Sequence, residues 1–377
     1  MSITIAVPRE ILDGERRVAM VPDVVPRLRR LGFDIAMETG AGAAAFMTDA
    51  CFGDVRVAGS AAALYGGADL IFKINPPTPA EVAMMKDGAM VLGGMLPAQH
   101  ADSVIAMRDR HITCWATELI PRISRAQSMD TLSSQAAVAG YRGALIAAAS
   151  AVKFYPMLTT AAGTLRPAKV LVIGAGVAGL QAIATARRLG AMVEAYDIRP
   201  ETKEQCESLG AKFIDTGIHA AGDGGYARAL TDEETARQQE VLNQHIARAD
   251  GVIATAALPG RPSPKIIDQA AVERMQPGAV IVDLASEGGG NCVLTQPGKT
   301  VRHGDITIHG PLNVAADLVV HASEMFAKNL LNFVTPMMND GIFNIDWNDD
   351  IIAAACLTHG GAIKHEPTRK QLEGDSQ

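Results

Sequence analysis

The sequence predicts an α/β protein built as two doubly wound parallel-sheet domains joined by two long helices. Three observations predict it. A chain of 377 residues exceeds one ordinary core and suits about two domains. Short apolar runs alternate with helical patterns in two successive series, as βαβ units require. The composition, 48% apolar with 36 glycines and only 4% aromatic, suits helices packed closely on a sheet.

In the first series, residues 3–7, 34–38, 69–74, 89–92 and 112–115 read as strands, with helical patterns at 22–31 and 60–65. Ser60 stands where an N-cap is wanted, and Gly66-Gly67 marks the stop. Residues 132–154 lack proline and read as one helix leaving this unit. The second series places strands at 169–173, 192–196, 212–214, 251–255, 279–283 and 305–309. Another uninterrupted helix follows at 312–333. The tail beyond it carries an apolar run at 351–357 and is too short for a third domain. It is expected to return to the first domain, which then comprises residues 1–135 plus 315–377 around a second domain at 136–314. Residues 215–235 are rich in Gly, Ala and charge and read as a loop; that length inside a compact domain marks function. Residues from about 368 read as a frayed end.

Bulk properties exclude several classes. The net charge of −7, with no basic cluster, argues against nucleic acid. No apolar run approaches the roughly 18–20 residues that cross a bilayer, so no direct membrane insertion is expected. The chain opens on a strand pattern rather than a signal peptide. Five scattered cysteines without a CxxC pair fit a reducing compartment, and nine histidines without zinc-site spacing predict no metal.

The strongest local motif is Lys169-Val-Leu-Val-Ile-Gly-Ala-Gly-Val-Ala-Gly-Leu-Gln-Ala. An apolar strand runs directly into Gly174-x-Gly176-x-x-Gly179, where a helix begins. Gly174 permits a tight turn, Gly176 leaves room for a pyrophosphate, and Gly179 lets helix and strand approach. The pyrophosphate would sit on the free N–H groups of that helix. Asp197 ends the next strand about 20 residues on, where a carboxylate bonds the ribose hydroxyls and repels a 2′-phosphate. The expected cofactor is NAD(H) on a Rossmann-like domain. Arg199, two residues later, complicates that preference as a candidate cofactor-binding residue, the alternative being a solvent-facing arginine near the adenine.

Other segments carry a family resemblance. Pro121-Arg-Ile-Ser-Arg-Ala-Gln-Ser-Met-Asp-Thr-Leu-Ser-Ser-Gln, continuing into Ala139-Gly-Tyr-Arg, resembles the signature of the soluble domain I of proton-translocating transhydrogenases. So do Thr160-Ala-Ala-Gly-Thr, Thr202-Lys-Glu-Gln, Gly224-Gly-Tyr-Ala, Ala285-Ser-Glu-Gly-Gly-Gly-Asn-Cys and Phe326-Ala-Lys-Asn-Leu-Leu-Asn. The resemblance extends over nearly the whole chain. In that family an Arg, a Gln and an Asp hold the nicotinamide end of NAD(H). Matched by motif these are Arg122, Gln127 and Asp130, with Ile123 and Ser124 beside the arginine and Ser133 one turn beyond the aspartate. Tyr226 matches an aromatic on the family's mobile loop. Val177, Ile198, Gly225, Gln238 and Ala257 match residues lining the NAD site, although the family commonly has a larger aliphatic residue at Ala257.

The resemblance implies direct hydride transfer between NADH here and NADP+ on a partner domain. The partners would be an NADP(H)-binding subunit and a membrane-embedded subunit, with this chain a homodimer held peripherally on the cytoplasmic face of the inner membrane. Such a site needs alignment and water exclusion rather than a general base. Two competing readings remain. Alanine dehydrogenase is similar to this family, and Arg17 and Lys73 match the residues it uses on substrate carboxylate. Its catalytic histidine, however, has no counterpart in Leu92-Gly-Gly-Met-Leu-Pro-Ala, and its catalytic aspartate appears as Glu287. Without those partners, Arg17 and Lys73 read as structural ion-pair residues. A non-catalytic NAD-sensing module is the other alternative, and the set Arg122, Gln127 and Asp130 argues against it.

Overall fold

The computed structural model describes residues 2–217, 231–257 and 262–374. Gly225 and Tyr226, and most of the predicted 215–235 loop, lie outside the described residues. The chain divides into two compact units, Met1–Gln135 with Ala316–Gln377, and Ala136–Ala315.

Six strands come first: β1 (Thr4–Val7), β2 (Asp34–Glu38), β3 (Arg56–Ala58), β4 (Leu70–Lys73), β5 (Met90–Gly93) and β6 (Thr113–Ala116). A hairpin follows, β7 (Leu158–Thr160) and β8 (Gly163–Leu165). Then come β9 (Lys169–Ile173), β10 (Met192–Tyr196), β11 (Lys212–Phe213), β12 (Gly251–Ala254), β13 (Val280–Asp283), β14 (Thr300–His303) and β15 (Ile306–His309). A second hairpin, β16 (Met338–Asn339) and β17 (Ile342–Phe343), precedes β18 (Cys356–His359) and β19 (Ala362–Ile363).

The first unit holds an eight-stranded sheet in the order β19-β18-β6-β5-β4-β1-β2-β3. Strands β1 to β6 pair in parallel; β1, β4, β5 and β6 are buried on two faces, between which successive side chains alternate, whereas the edge strand β3 is largely exposed. Ile5, Val7, Phe72 and Trp115 join Leu330 and Phe333 of the Val319–Val334 helix in one core. Ala6, Ile71, Val91 and Cys114 face Leu64, Val104 and Met107 in the other. Fully burying a large apolar side chain stabilises by about 1.5–3 kcal/mol, so these two layers dominate the unit.

The second unit holds a seven-stranded sheet in the order β11-β10-β9-β12-β13-β15-β14. The order reverses at β9, which has β10 on one side and β12 on the other. Crevices at such reversals, beyond the carboxyl ends of the strands, are where ligands bind.

Both sheets depart from the all-parallel expectation at an edge. β14 pairs antiparallel with β15, and the tail adds β18 antiparallel to β6, then β19 antiparallel to β18. The tail's apolar run is split between a helix, Asp350–Ala355, and β18. The helix expected over 132–154 runs from Thr131 to Ser150. That expected over 312–333 is a 3₁₀ turn, Val314–Leu318, followed by the Val319–Val334 helix; Asn313, at φ 47°, sits just ahead of the turn. The end of the supposed 215–235 loop is helical. Thr231 and Glu234 form a reciprocal capping box that starts the Asp232–Ile246 helix.

Candidate dinucleotide site

In the second unit, β9 ends at the glycine turn. Gly174 sits at φ 92°, and a Cβ there would lie 2.7 Å from Thr255 Oγ1. The Thr255 hydroxyl donates to the Gly174 carbonyl at 3.0 Å, tying the turn to the end of β12. Gly179 lies on the first turn of the Val177–Arg188 helix, and a Cβ there would fall 1.8 Å from the Gly174 carbonyl oxygen. Gly176 differs from both. It is exposed, its φ is −75°, and a Cβ would meet nothing within 4 Å. Space above Gly176 is therefore open, beside a helix N-terminus that has no side-chain cap. Free N–H groups and the dipole suit an anion there. The residues present fit a dinucleotide pyrophosphate.

Two residues that sequence reasoning did not single out brace this turn. Gly140, on the Thr131–Ser150 helix, would place a Cβ 2.0 Å from the Ala178 carbonyl oxygen, so only glycine lets that helix touch the turn's own helix. Asn291 accepts from the Ala256 N–H at 3.0 Å and donates to the Ala256 carbonyl at 2.7 Å and the Pro264 carbonyl at 2.9 Å. It thereby fixes the chain leaving β12, just ahead of exposed Ala257. Both lie in segments quoted for the resemblance, where a packing role leaves no local chemical signature. Val177 and Ile198 are exposed, and Gln238 is half-buried on the Asp232–Ile246 helix.

Asp197 follows β10 directly. Its carboxylate accepts from the Ala175 N–H of the glycine turn at 2.6 Å and from the Arg199 N–H at 2.9 Å. The Arg199 guanidinium also forks onto it, Nε to Oδ1 at 3.0 Å and Nη2 to Oδ2 at 3.1 Å. Arg199 is half-exposed to solvent and is at the same time paired with Asp197.

In the first unit, the predicted loop is a 3₁₀ turn, Ser124–Met129, leading into the Thr131–Ser150 helix. Asp130 caps that helix: Oδ1 accepts from the Ser133 N–H at 2.8 Å and Oδ2 from the Ser133 hydroxyl at 2.6 Å. Asp130 and Ser133 thus hydrogen-bond each other, and both keep acceptor lone pairs for a further donor. Arg122, Ile123, Ser124 and Gln127 are exposed, and the Arg122 and Gln127 side chains make no hydrogen bond among the described residues. The turn itself is anchored from the Val319–Val334 helix, where Asn329 and Asn332 both donate to the Ser128 carbonyl at 2.9 Å. Arg125 forks onto Asp349 at 2.6 and 3.1 Å and also reaches Asp350. Residues some 200 positions away in sequence hold the turn, so local reading had no means of finding them.

Arg17 and Lys73 sit inside the same unit, in a buried network of charge. Arg17 donates through Nε and Nη2 to Glu15 at 2.8 and 2.6 Å, and through Nη1 to Gln135 at 2.9 Å. Lys73 pairs with Glu81 at 2.8 Å and stands 3.6 Å from Glu10. Asn75 links Glu10 to Glu15, at 3.2 and 3.0 Å, and Tyr65 donates to Glu81 at 2.7 Å. Burial alone raises carboxylates, and it does raise Glu10. At Glu15 the Arg17 hydrogen bonds and charge outweigh burial and hold the carboxyl down at about 2. Glu81 is likewise lowered against its burial by Lys73. Both cations are therefore engaged by carboxylates of the chain itself.

The stretch without the histidine is held by another carboxylate. Glu118 accepts from the Met95 N–H at 3.0 Å and from the Leu96 N–H, while Leu96 takes φ 43°. Burial raises the Glu118 carboxyl. Glu287 is exposed and accepts from the Asn313 N–H at 2.8 Å.

Comparison with known proteins bears on these arrangements. Residues 6–139 match the family model for the alanine dehydrogenase/PNT N-terminal domain, and residues 143–366 that for the C-terminal domain. The chain is 45% identical over 375 residues to an NAD(P) transhydrogenase alpha-subunit chain of Rhodospirillum rubrum, covering 96% of this chain and 97% of that one. The crystal structure of transhydrogenase from Sinorhizobium meliloti superposes with a TM-score of 0.85 at 41% identity, over 97% of this chain and 99% of that one. Alanine dehydrogenase of Mycobacterium tuberculosis is 28% identical over 384 residues, covering 98% and 96%.

Proposed function

The chain belongs to the NAD(P) transhydrogenase alpha-subunit family, within the alanine dehydrogenase/PNT group, and from that premise we propose that it binds NAD(H) and exchanges hydride with NADP(H) held on a partner subunit. One observation carries the nucleotide assignment. The turn at Gly174–Gly179 leaves open space over Gly176, at an uncapped helix N-terminus, within reach of the Asp197 carboxylate's own partner Ala175.

When bound, the dinucleotide supplies a hydride donor or acceptor at nicotinamide C4, and the exchange moves no net proton between the two nucleotides. The chain's residues bind and orient. Backbone N–H groups at the start of the Val177–Arg188 helix receive the pyrophosphate, and the Asp197–Arg199 pair just beyond β10 stands at the adenosine ribose. Asp130 and Ser133, locked to each other, set the direction of the turn that carries Gln127. Arg122 and Gln127 keep uncommitted donors for the nicotinamide carboxamide and for the second nucleotide's ribose. Gly225 and Tyr226 are proposed to close over the bound nucleotide. Alignment of the two C4 atoms to roughly 3–3.5 Å is the largest contribution asked of these residues.

No described helix is long and apolar enough to cross a membrane. We assign the membrane spans and the NADP(H) site to partner subunits, with this chain a homodimer docked peripherally from the cytoplasmic side. Alanine oxidation is disfavoured by a specific observation: Arg17 and Lys73 already pair with Glu15 and Glu81.

The test is hydride transfer from NADH to an NADP+ analogue, with and without an added transhydrogenase NADP-binding domain. An alanine-plus-NAD+ reaction runs alongside. Transfer that requires the added domain supports the proposal. NADH formation from alanine by the chain alone overturns it.

A further inference from the structure

The Asp197–Arg199 contact is more than a surface ion pair. Its carboxylate is only 6% exposed while the arginine is 51% exposed, so the arginine is the solvent-facing partner just beyond β10, where an adenosine ribose is expected. The arginine's backbone is also fixed. Its carbonyl accepts from the Thr202 hydroxyl at 2.8 Å and from the Thr202 N–H at 3.2 Å, and Thr202 is buried. A guanidinium has five N–H donors, and the fork to Asp197 uses the Nε edge and one Nη2 hydrogen. Charge and donors sufficient for a phosphate therefore stand at the ribose end, held by one carboxylate.

We infer that Arg199 is a latent ligand for a ribose 2′-phosphate, and that the Asp197–Arg199 pair, rather than Asp197 alone, sets the preference for NAD(H) over NADP(H). The inference deepens the proposed function and rests on its assignment of the nucleotide site to the second unit. A lone carboxylate rejects a 2′-phosphate by like charge. Here the carboxylate also withholds the arginine that would otherwise accept the phosphate, because both oxygens already receive the fork. Glu201 adds a second negative charge acting on Arg199 and works in the same direction. Rejection is then the sum of repulsion and a sequestered donor. One substitution removes both.

The experiment compares NADH and NADPH binding, by nucleotide fluorescence titration at fixed ionic strength, across four forms of the full chain. Asp197→Asn keeps an oxygen for the Ala175 N–H, and so protects the turn, but its amide nitrogen cannot accept the fork. It should bind NADPH about tenfold to a hundredfold more tightly than the unsubstituted chain, the range expected for a new charge-assisted hydrogen bond. Asp197→Asn/Arg199→Ala should lose that gain, while its NADH binding stays with that of Asp197→Asn. Arg199→Ala alone should bind NADPH no better than the unsubstituted chain. Equal NADPH binding by the two Asn variants would overturn the inference and leave the NAD(H) assignment standing. An unsubstituted chain that binds neither nucleotide would overturn both.

Discussion

Replacing Gly176 and Gly179 separately distinguishes space kept for a ligand from space kept for the fold. Gly176 lies at φ −75°, ψ −170°, a conformation alanine adopts freely, and its Cβ would meet nothing within 4 Å. Gly176→Ala should therefore change folding stability by no more than about 0.5 kcal/mol, with a slight gain from a less free unfolded chain. The new methyl nevertheless stands where the pyrophosphate must approach. Losing one or two charge-assisted hydrogen bonds from the helix N–H groups removes about 3 kcal/mol, roughly a hundredfold in NADH affinity. Gly179→Ala puts a Cβ 1.8 Å from the Gly174 carbonyl oxygen and 2.8 Å from its carbon, so backbone must move. It should cost about 1–3 kcal/mol or more in stability and weaken binding as a consequence. Urea unfolding and NADH titration on the same preparations supply both numbers. If Gly176→Ala binds NADH within threefold of the unsubstituted chain, or unfolds as early as Gly179→Ala, the pyrophosphate placement is wrong.

Three further outcomes follow from the first unit. Asp130→Ala removes the cap on the Thr131–Ser150 helix and should cost about 1 kcal/mol by chemical denaturation; an unchanged midpoint would show that the Ser133 contacts carry no net stability. Asn329→Ala removes donors to Ser128 and the acceptor for the Ser134 hydroxyl, and should cost about 1–3 kcal/mol. Hydrogen exchange should then quicken in the Ser124–Met129 turn before the rest of the unit, and uniform protection there would refute the anchoring role. Glu15 is depressed from 4.5 to about 2, so its contribution is complete above 4.5 and is lost as pH falls toward 2. That shift corresponds to about 3 kcal/mol in all, of which about 2 kcal/mol should be gone by pH 3. Glu15→Gln should show a correspondingly shallower loss of unfolding free energy between pH 6 and 3, and a parallel loss would refute the depression.

What could be read from the sequence is what is enforced locally. Gly174, Gly176 and Gly179 declare themselves because a left-handed turn, an open approach and a close contact fall within six residues. Strand positions are legible because both faces of β1, β4, β9 and β12 are buried, leaving continuous apolar runs. The Thr231–Glu234 capping box was also a local signal, masked by the Gly-rich residues before it. So was Gly360-Gly361, at φ 59° and 76°, the two-residue turn that joins β18 to β19. The end of the Thr131–Ser150 helix has no breaker of its own and depends on packing. Asn329, Asn332 and Asn291 lie beyond any local reading, since each acts on backbone far away in the chain. The Arg199 fork escaped because sequence places the residue but not its rotamer.

The late arrival of β18 bears on how the protein is made. Until Cys356 and Thr358 pair with Trp115 and Cys114, β6 is an apolar strand with a row of unpaired backbone groups. Such an edge invites association with other chains. At a synthesis rate of roughly 5–20 residues per second, the intervening stretch takes on the order of 10–50 seconds to emerge. The Ala136–Ala315 unit is complete before its host and can finish folding while β6 waits. Nascent chains therefore carry this unpaired apolar edge until Cys356 emerges, and slow translation or truncation ahead of Cys356 should trap them with chaperones rather than merely weaken the finished fold.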